Sequence, residues 1–135
     1  MIILQASIVL MTLVHECRGE PFKGQHAVAS VIYVRRHEDG TDYRKVCLTP
    51  SQFSCWNPGA QIRWRDVMNE LADTESGRRA WRNLNSIVDE MEAGEFKPSG
   101  RWNMYCAINV VGYKQDQWTN VVEIAGHRFG YLEGR

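Results

Sequence analysis

The fold is decided by residues 2–36, IILQASIVLMTLVHECRGEPFKGQHAVASVIYVRR, which contain two apolar segments separated by a short polar break. Residues 2–16 are apolar on nearly every side, which is typical of a helix at the centre of a domain. Gly19 and Pro21 end this helix. Over residues 24–36 apolar side chains return at helical spacing. We therefore expect a buried first helix that is followed closely by a second helix.

Two further helices are predicted in the middle of the chain, at residues 63–73 and 76–92. In the second of these, apolar residues recur at i, i+3 and i+4, and Trp81 lies on that stripe. We therefore expect its indole to belong to the core. Residues 43–60, which include Pro50, show no such period, and their aromatic content is typical of a segment that lines a site.

The last third of the chain predicts a small sheet. Residues 121–131 contain two β-prone runs on either side of Gly126, which indicates two short antiparallel strands. A length of 135 residues suffices for one domain and is too short for two domains with separate cores. We predict one α+β domain over residues 1–135, mostly helical, with a small antiparallel sheet near the C-terminus.

Charge and composition exclude several classes of protein. Sixteen Lys and Arg residues balance sixteen Asp and Glu residues, and there is no basic block, so the chain lacks the charge of a dedicated nucleic-acid-binding protein. The apolar N-terminal run is shorter than the roughly 20 residues of a membrane-spanning helix. It also lacks the positive segment and the cleavage site of a secretory signal peptide. We expect a monomer that is made in the cytoplasm, binds no nucleic acid and does not insert stably into a membrane.

Four cysteines, Cys17, Cys47, Cys55 and Cys106, allow a different chemistry. They form no CxxC pair, so we expect no zinc ribbon, no other metal site and no cofactor. The simplest interpretation is four reduced, partly buried thiols, with Cys47 and Cys55 as the one pair that invites a disulfide. The alternative is a cysteine nucleophile assisted by His127, with Cys106 or Cys17 as the nucleophile.

Glu16 is the most informative ionisable residue, because it lies at the C-terminal end of an apolar helix. Partial burial raises the pKa of a carboxyl group, and the negative end of the helix dipole acts in the same direction. Such a glutamic acid can keep its proton near neutral pH and act as a general acid. The metalloprotease motif HExxH is excluded because Gly19 occupies the second histidine position. The alternative is a solvated helix end in which Glu16 or Glu20 pairs with Arg18.

Aromatic rings outside the helical stripes suggest a surface that binds sugars. Flat rings stack on the C–H faces of sugars, while neighbouring amides bond hydroxyl and acetamido groups. The alternative is that a small domain uses the same rings to cover its core. The rings are Phe53, Trp56, Trp102, Tyr105, Trp118 and Tyr131, and the amides are Gln52, Asn57, Asn103 and Asn120.

Several motifs along the chain resemble those of a known family. The run E-x-R-G-E-P-F-x-G-Q-x-A-V-A-x-V-I occupies residues 16–32. It is followed by Val46-Cys47, by Gln52-Phe53-Ser54, and finally by Tyr105, Trp118 and Ile124-x-Gly126-His127-x-Phe129. Together these motifs resemble the SleB/CwlJ family of cell-wall hydrolases, which includes the spore cortex-lytic enzymes. The resemblance spans about residues 5–131.

The resemblance implies a lysozyme-like α+β domain that cleaves the glycan strands of peptidoglycan, and it places the essential acid on Glu16. The chain departs from the family pattern at Trp102-Asn103-Met104 and at Cys106, which affects substrate contacts rather than the acid. The residues that we expect to bind the substrate are Glu20, Gln52, Phe53, Trp56, Tyr105 and His127.

The implied reaction is that of a lytic transglycosylase. Glu16 protonates the glycosidic oxygen between MurNAc and GlcNAc, and its carboxylate then takes the proton of the MurNAc C6 hydroxyl, which closes a 1,6-anhydro ring. If water attacks instead, the enzyme is a muramidase, with Glu20 or Asp66 as a second carboxylate. Two other classes stay open: a Cys/His amidase that acts on the stem peptide, and a non-catalytic module that binds glycan.

The biological setting is also implied by the resemblance. A bare catalytic domain of this size, without a wall-binding repeat, is similar to a phage or prophage endolysin. Such a bacteriolytic enzyme acts at the cell wall after a membrane-permeabilising partner, such as a holin, has given it access.

Overall fold

A computed structural model describes residues 2–50 and 52–135 of the chain, which form a helical layer and a small C-terminal sheet. This architecture confirms the predicted α+β class with mostly helical content. None of the helices in these residues is both long enough and apolar enough to cross a membrane. The elements are α1 (Ile2–Cys17), α2 (Phe22–Asp39), α3 (Tyr43–Leu48), α4 (Trp64–Asp73), α5 (Glu75–Ala93), β1 (Met104–Ala107), β2 (Thr119–Ile124) and β3 (His127–Tyr131).

Helix α1 lies at the centre of the helical layer, where it contacts α2, α3 and α5. Its side chains Val9, Leu13 and Val14 are fully buried. Burial of each such side chain contributes about 1.5–3 kcal/mol to folding. The prediction of a central first helix is therefore confirmed.

Helices α4 and α5 are joined by the single residue Thr74 and pack against each other. The Thr74 hydroxyl caps α5 by accepting a hydrogen bond from the Gly77 N–H at 2.9 Å. A side chain at Gly77 would place its Cβ 2.4 Å from the Glu70 carbonyl oxygen, so only glycine permits this approach. Trp81 is half-buried and packs against the edge of the core, so its predicted place in the core is realised only in part.

Helix α3 was not predicted, because six residues are too few to show a period. It begins where the Asp42 side chain accepts a hydrogen bond from the Lys45 N–H at 2.8 Å. Tyr43, Val46 and Cys47 face the core. Residues 43–60, which were expected to be irregular, therefore begin with a short capped helix.

The sheet has the strand order β1–β3–β2, and both pairings are antiparallel. Strands β2 and β3 confirm the predicted pair around Gly126, whereas β1 was not predicted. Tyr105 lies opposite Phe129, and Ala107 lies opposite His127. Because side chains alternate between the faces of a strand, Tyr105, His127 and Phe129 share one face. Phe129 is fully buried, so this face is directed towards the helices.

Candidate active site

A cleft of about 520 Å³ lies between the end of α1, the segment after α3, and the sheet. Four of the seven predicted site residues line it: Glu16, Gln52, Tyr105 and His127. The structure thus brings together side chains from four separate parts of the chain. The other lining residues are Arg35, Ser54, Asn57, Met104, Cys106, Ala107, Val110, Tyr113 and Arg135.

The Glu16 carboxyl group is held at both of its oxygens. Oε1 accepts a hydrogen bond from the Tyr105 hydroxyl. Oε2 lies 3.1 Å from His15 Nδ1, and the Glu16 side chain is 18% exposed. Burial, and then the nearby charge of Glu16, raise the pKa of Tyr105 well above its usual value. The phenol therefore stays protonated at neutral pH and remains a hydrogen-bond donor to Glu16.

A second depression, of about 370 Å³, is lined by the end of α1 and by the turn that follows it. Glu16 borders both this depression and the cleft. Glu20 and Glu70 also line this depression. The Glu70 carboxylate accepts a hydrogen bond from Arg18 Nε at 2.8 Å, so Arg18 pairs with neither Glu16 nor Glu20.

Glu20 is paired with His127, whose Nδ1 lies 2.6 Å from Glu20 Oε1. The His127 ring also lies beside Tyr105, with 5.7 Å between ring centroids. Gly24 makes this arrangement possible, because a Cβ there would lie 3.2 Å from Glu20 Cβ and 3.4 Å from Ala125 Cβ. The start of α2 can therefore approach the β2–β3 turn, and Glu20 fixes the orientation of a histidine that lines the cleft.

Phe53 and Trp56, both predicted to bind substrate, are not among the residues that line the cleft. Phe53 is 1% exposed and belongs to the core, so its ring has no surface to offer a sugar. The Trp56 indole N–H donates to Thr12 Oγ1 at 2.8 Å, and its ring stacks on Trp64 with 5.8 Å between centroids. These two rings hold the loop in place, as the alternative interpretation proposed. Trp102 and Trp118 are likewise buried.

Two residues that line the cleft were missed by the sequence analysis. Tyr113 is 63% exposed at the rim and has a positive φ of 56°. Arg35 follows Val28 by seven residues and Val31 by four. That spacing places it on the buried stripe of the helix. An arginine on an otherwise apolar stripe is the sequence signal that could have identified Arg35 as a candidate functional residue.

Free thiols are found at all four cysteine positions, so the structure contains no Cys47–Cys55 disulfide. Burial raises the pKa of Cys47 to about 12 and that of Cys55 to about 11. Burial also raises the pKa of Cys17 well above its usual value, and the Cys17 thiol donates to the Leu13 carbonyl oxygen at 3.1 Å. Thiolate formation is therefore disfavoured at these sites.

Cys106 is not positioned to work with His127. Cys106 lies opposite Arg128 in the sheet, whereas His127 lies opposite Ala107. The side chains of Cys106 and His127 therefore point to opposite faces. Burial also raises the pKa of Cys106. This geometry argues against a Cys106–His127 nucleophilic pair.

A family model described as Cell Wall Hydrolase matches residues 19–130. The chain belongs to this family. Membership supports a peptidoglycan-degrading enzyme that acts at the cell wall. The matched range contains Glu20, Gln52, Tyr105 and His127, while Glu16 lies just before it. No curated protein and no solved structure matches the chain, so the lysozyme-like comparison stays a prediction.

The cleft of this cell wall hydrolase contains a single acidic side chain among the described residues that line it, Glu16. Asp66, the other candidate for a second carboxylate, lies on the surface beside Arg63 at 3.9 Å and does not line the cleft. Glu20 reaches the cleft only through His127. The hydrolase thus offers one carboxyl group, one phenol donor and one oriented imidazole.

Proposed function

We propose that this cleft cleaves peptidoglycan glycan strands between MurNAc and GlcNAc as a lytic transglycosylase, with Glu16 acting first as acid and then as base. One observation carries the proposal. Glu16 is the sole carboxyl group among the described cleft-lining residues, and Tyr105 and His15 hold both of its oxygens. A reaction that uses one carboxyl group twice fits such a site better than one that needs two.

In the first step, Glu16 donates a proton to the glycosidic oxygen. Because the Tyr105 hydroxyl donates to Oε1, that oxygen acts as an acceptor, and we assign the donated proton to Oε2. The bond between the glycosidic oxygen and C1 of MurNAc then breaks through an oxocarbenium-like state. GlcNAc leaves with the proton as a free hydroxyl group. Tyr105 stabilises the carboxylate that remains.

In the second step, the Glu16 carboxylate accepts the proton of the MurNAc C6 hydroxyl. The C6 oxygen forms a bond to C1, which closes the 1,6-anhydro ring and consumes no water. Glu16 ends the cycle in its starting protonation state. The acetamido group of the same sugar is suited to stabilising the cation between the two steps.

Gln52 and His127 are proposed to position the glycan. Both line the cleft with Glu16, and both present hydrogen-bonding groups suited to hydroxyl and acetamido groups. Glu20 acts indirectly, by holding Nδ1 of His127. Tyr113 supplies an exposed ring at the rim, on which a sugar can stack.

The Glu20–His127 pair favours one second candidate, a hydrolytic muramidase. A histidine whose Nδ1 is held by a carboxylate is a general base in many enzymes. His127 lines the same cleft as Glu16, so an activated water could compete with the C6 hydroxyl for C1. Glu16 would keep its role as acid in either reaction.

Mass spectrometry of digested peptidoglycan tests the proposal. We expect muropeptides that end in 1,6-anhydro-MurNAc, and we expect them to be lost with Glu16→Gln. Reducing MurNAc ends would establish the muramidase instead. Release of free stem peptides with intact strands would establish an amidase, and binding without products would establish a glycan-binding module; either result would overturn the proposal.

We also infer from the sequence resemblance that the enzyme is a bacteriolytic phage or prophage endolysin. It would act as a monomer and depend on a membrane-permeabilising partner such as a holin. Expression inside a bacterial host tests this setting. Lysis should occur only when the inner membrane is permeabilised, and lysis without any permeabilising agent would contradict the dependence on a partner.

A further inference from the structure

Arg35 is a buried arginine whose guanidinium group borders the cleft. The residue is 6% exposed and lines the same space as Glu16 and Tyr105. Its Nε donates to the Asn103 carbonyl oxygen at 2.8 Å, which fixes one side of the group.

The two terminal nitrogens of Arg35 lack an oxygen acceptor. Nη1 is buried and has no hydrogen-bond partner among the described residues. Nη2 has only the Met104 sulfur, at 3.9 Å, which is a weak acceptor. Over the same residues, no carboxylate lies within ion-pair distance of Arg35. The Phe53 ring lies against the guanidinium group, with 5.7 Å between Arg35 Cζ and the ring centroid, but it supplies no oxygen acceptor. Buried N–H groups without an oxygen acceptor are costly, because burial removes the water that would bond them.

Arg135 is the other arginine at the cleft, and its charge is already met. Its Nε lies 3.4 Å from Glu38 Oε1, and its Nη2 lies 2.8 Å from Asp39 Oδ1. Arg35 makes no such ion pair among the described residues, and Asp39 and Glu38 act on its charge only from a longer distance. Burial, followed by repulsion from Arg135, lowers the pKa of Arg35 to about 10, so the group is still charged at neutral pH.

We propose that Arg35 binds a carboxylate of the substrate, carried by the muramic acid residue that occupies the cleft. The inference rests on the proposed function and adds a specificity to it. MurNAc differs from GlcNAc by a lactyl group, which ends in a carboxylate on unsubstituted sugars and in a stem peptide with its own carboxylates on the others. Guanidinium groups pair with carboxylates through two parallel hydrogen bonds. A substrate carboxylate would therefore supply the oxygen acceptors that the Arg35 guanidinium lacks.

The consequence is a cleft that selects charged muramoyl glycans. A neutral glycan would fill the cleft and leave the Arg35 guanidinium unpaired. A strand with a carboxylate on the muramic acid residue in the cleft would pair with that guanidinium. A hydrogen bond to a charged group is strong enough to change kcat/KM by about 10- to 100-fold. Arg35 is thus a specificity residue, distinct from the acid that breaks the bond.

The test compares strands that differ only in charge. One substrate is glycan stripped of its peptides, which carries free lactyl carboxylates, and its partner is the same glycan with those carboxylates converted to methylamides. A second pair consists of peptide-bearing strands with free or amidated peptide carboxylates. The enzymes are wild type, Arg35→Met, Arg35→Lys and the control Arg36→Met. Arg36 lies over the Tyr43 ring at 4.6 Å and does not line the cleft.

We expect wild type and Arg36→Met to prefer the charged member of one pair by about 10- to 100-fold in kcat/KM. The pair that shows the preference identifies the lactyl group or the stem peptide as the source. Arg35→Met should abolish the preference, and Arg35→Lys should retain part of it. A purely structural role for Arg35 would lower the rates on both members equally and leave their ratio unchanged.

Wild-type rates that are equal within both pairs would overturn the proposal and leave the proposed glycan cleavage standing. Absence of cleavage of every strand would instead show that the proposed function itself has failed. If Arg35→Met does not fold, as judged by circular dichroism, the wild-type ratios and the Arg35→Lys variant still decide the question.

Discussion

The Tyr105 hydroxyl donates a hydrogen bond to Glu16 Oε1, joining strand β1 to the last turn of α1 across 89 positions of the chain. This bond fixes the orientation of the carboxyl group in the cleft. It also links the helical layer to the sheet at the point where the chemistry is proposed to occur. The two layers therefore meet at the proposed catalytic group.

Replacement of Tyr105 by Phe should lower kcat by about 10- to 100-fold, because a hydrogen bond to the Glu16 carboxylate is lost. The ring should keep its stack on Phe129, where the centroids are 5.7 Å apart, so the melting temperature should change little. Steady-state kinetics on purified glycan strands measure the effect. Tyr33→Phe, at a partly buried tyrosine of α2 that does not line the cleft, is the control. A kcat for Tyr105→Phe equal to that of wild type would remove the phenol from the mechanism.

Thiol chemistry should be dispensable for activity. Cys106 lies on the sheet face opposite His127, and burial raises its pKa, so it is a poor nucleophile. We expect Cys106→Ser to retain most of the lytic rate in a turbidity assay on permeabilised cells, and added reductant to have no effect. Complete inactivation by a small alkylating reagent, with protection by glycan, would indicate a cysteine nucleophile.

Stability should fall as the pH rises above about 9. Burial raises the pKa of Cys47 from 9.0 to about 12, so the folded state keeps a proton that the unfolded state releases. Stabilisation by this group is complete below pH 9 and is lost progressively as the pH approaches 12. Urea unfolding at pH 8 and pH 10.5 measures the loss, which should be smaller in Cys47→Ala relative to its own value at pH 8. An equal loss in both proteins would contradict the assignment to Cys47.

Replacement by alanine should lower the free energy of unfolding more at Phe53 than at Trp81. Phe53 is 1% exposed, so Phe53→Ala should reduce the free energy of unfolding by about 3–5 kcal/mol. Trp81 is half-buried at the edge of the core, so Trp81→Ala should cost less. Urea titration of both variants gives the comparison. A larger loss for Trp81→Ala would show that the edge of the core matters more than its centre.

Much of the fold was predictable because long helices carry a strong period. Helices α4 and α5 show it most clearly, whereas α1 was predicted from its continuous apolar run, and Gly126 marks the β2–β3 turn. Strand β1 could not be found in this way, because its four residues become a strand only by pairing with β3. Helix α3 depends on the Asp42 cap rather than on a hydrophobic pattern.

The sequence predicted which residues line the site better than it predicted the contacts that these residues make. Glu16, Gln52, Tyr105 and His127, all predicted as site residues, line one cleft. The sequence could not show that Phe53 points inward and that Trp56 is held by Thr12, because both facts depend on how the loop packs on α1. It also gave no sign that Glu20 faces His127, since the contact joins the start of α2 to the sheet.

The rate at which Glu16→Gln cleaves purified glycan strands tests the central claim most directly. The amide cannot donate the acid proton, so we expect a loss of about 10²–10⁴-fold, with the melting temperature and strand binding unchanged. Glu20→Gln, which disturbs only the orientation of His127, should retain more activity. A Glu16→Gln variant that keeps more than roughly a tenth of the wild-type rate, above the range expected for loss of a general acid, would contradict the account.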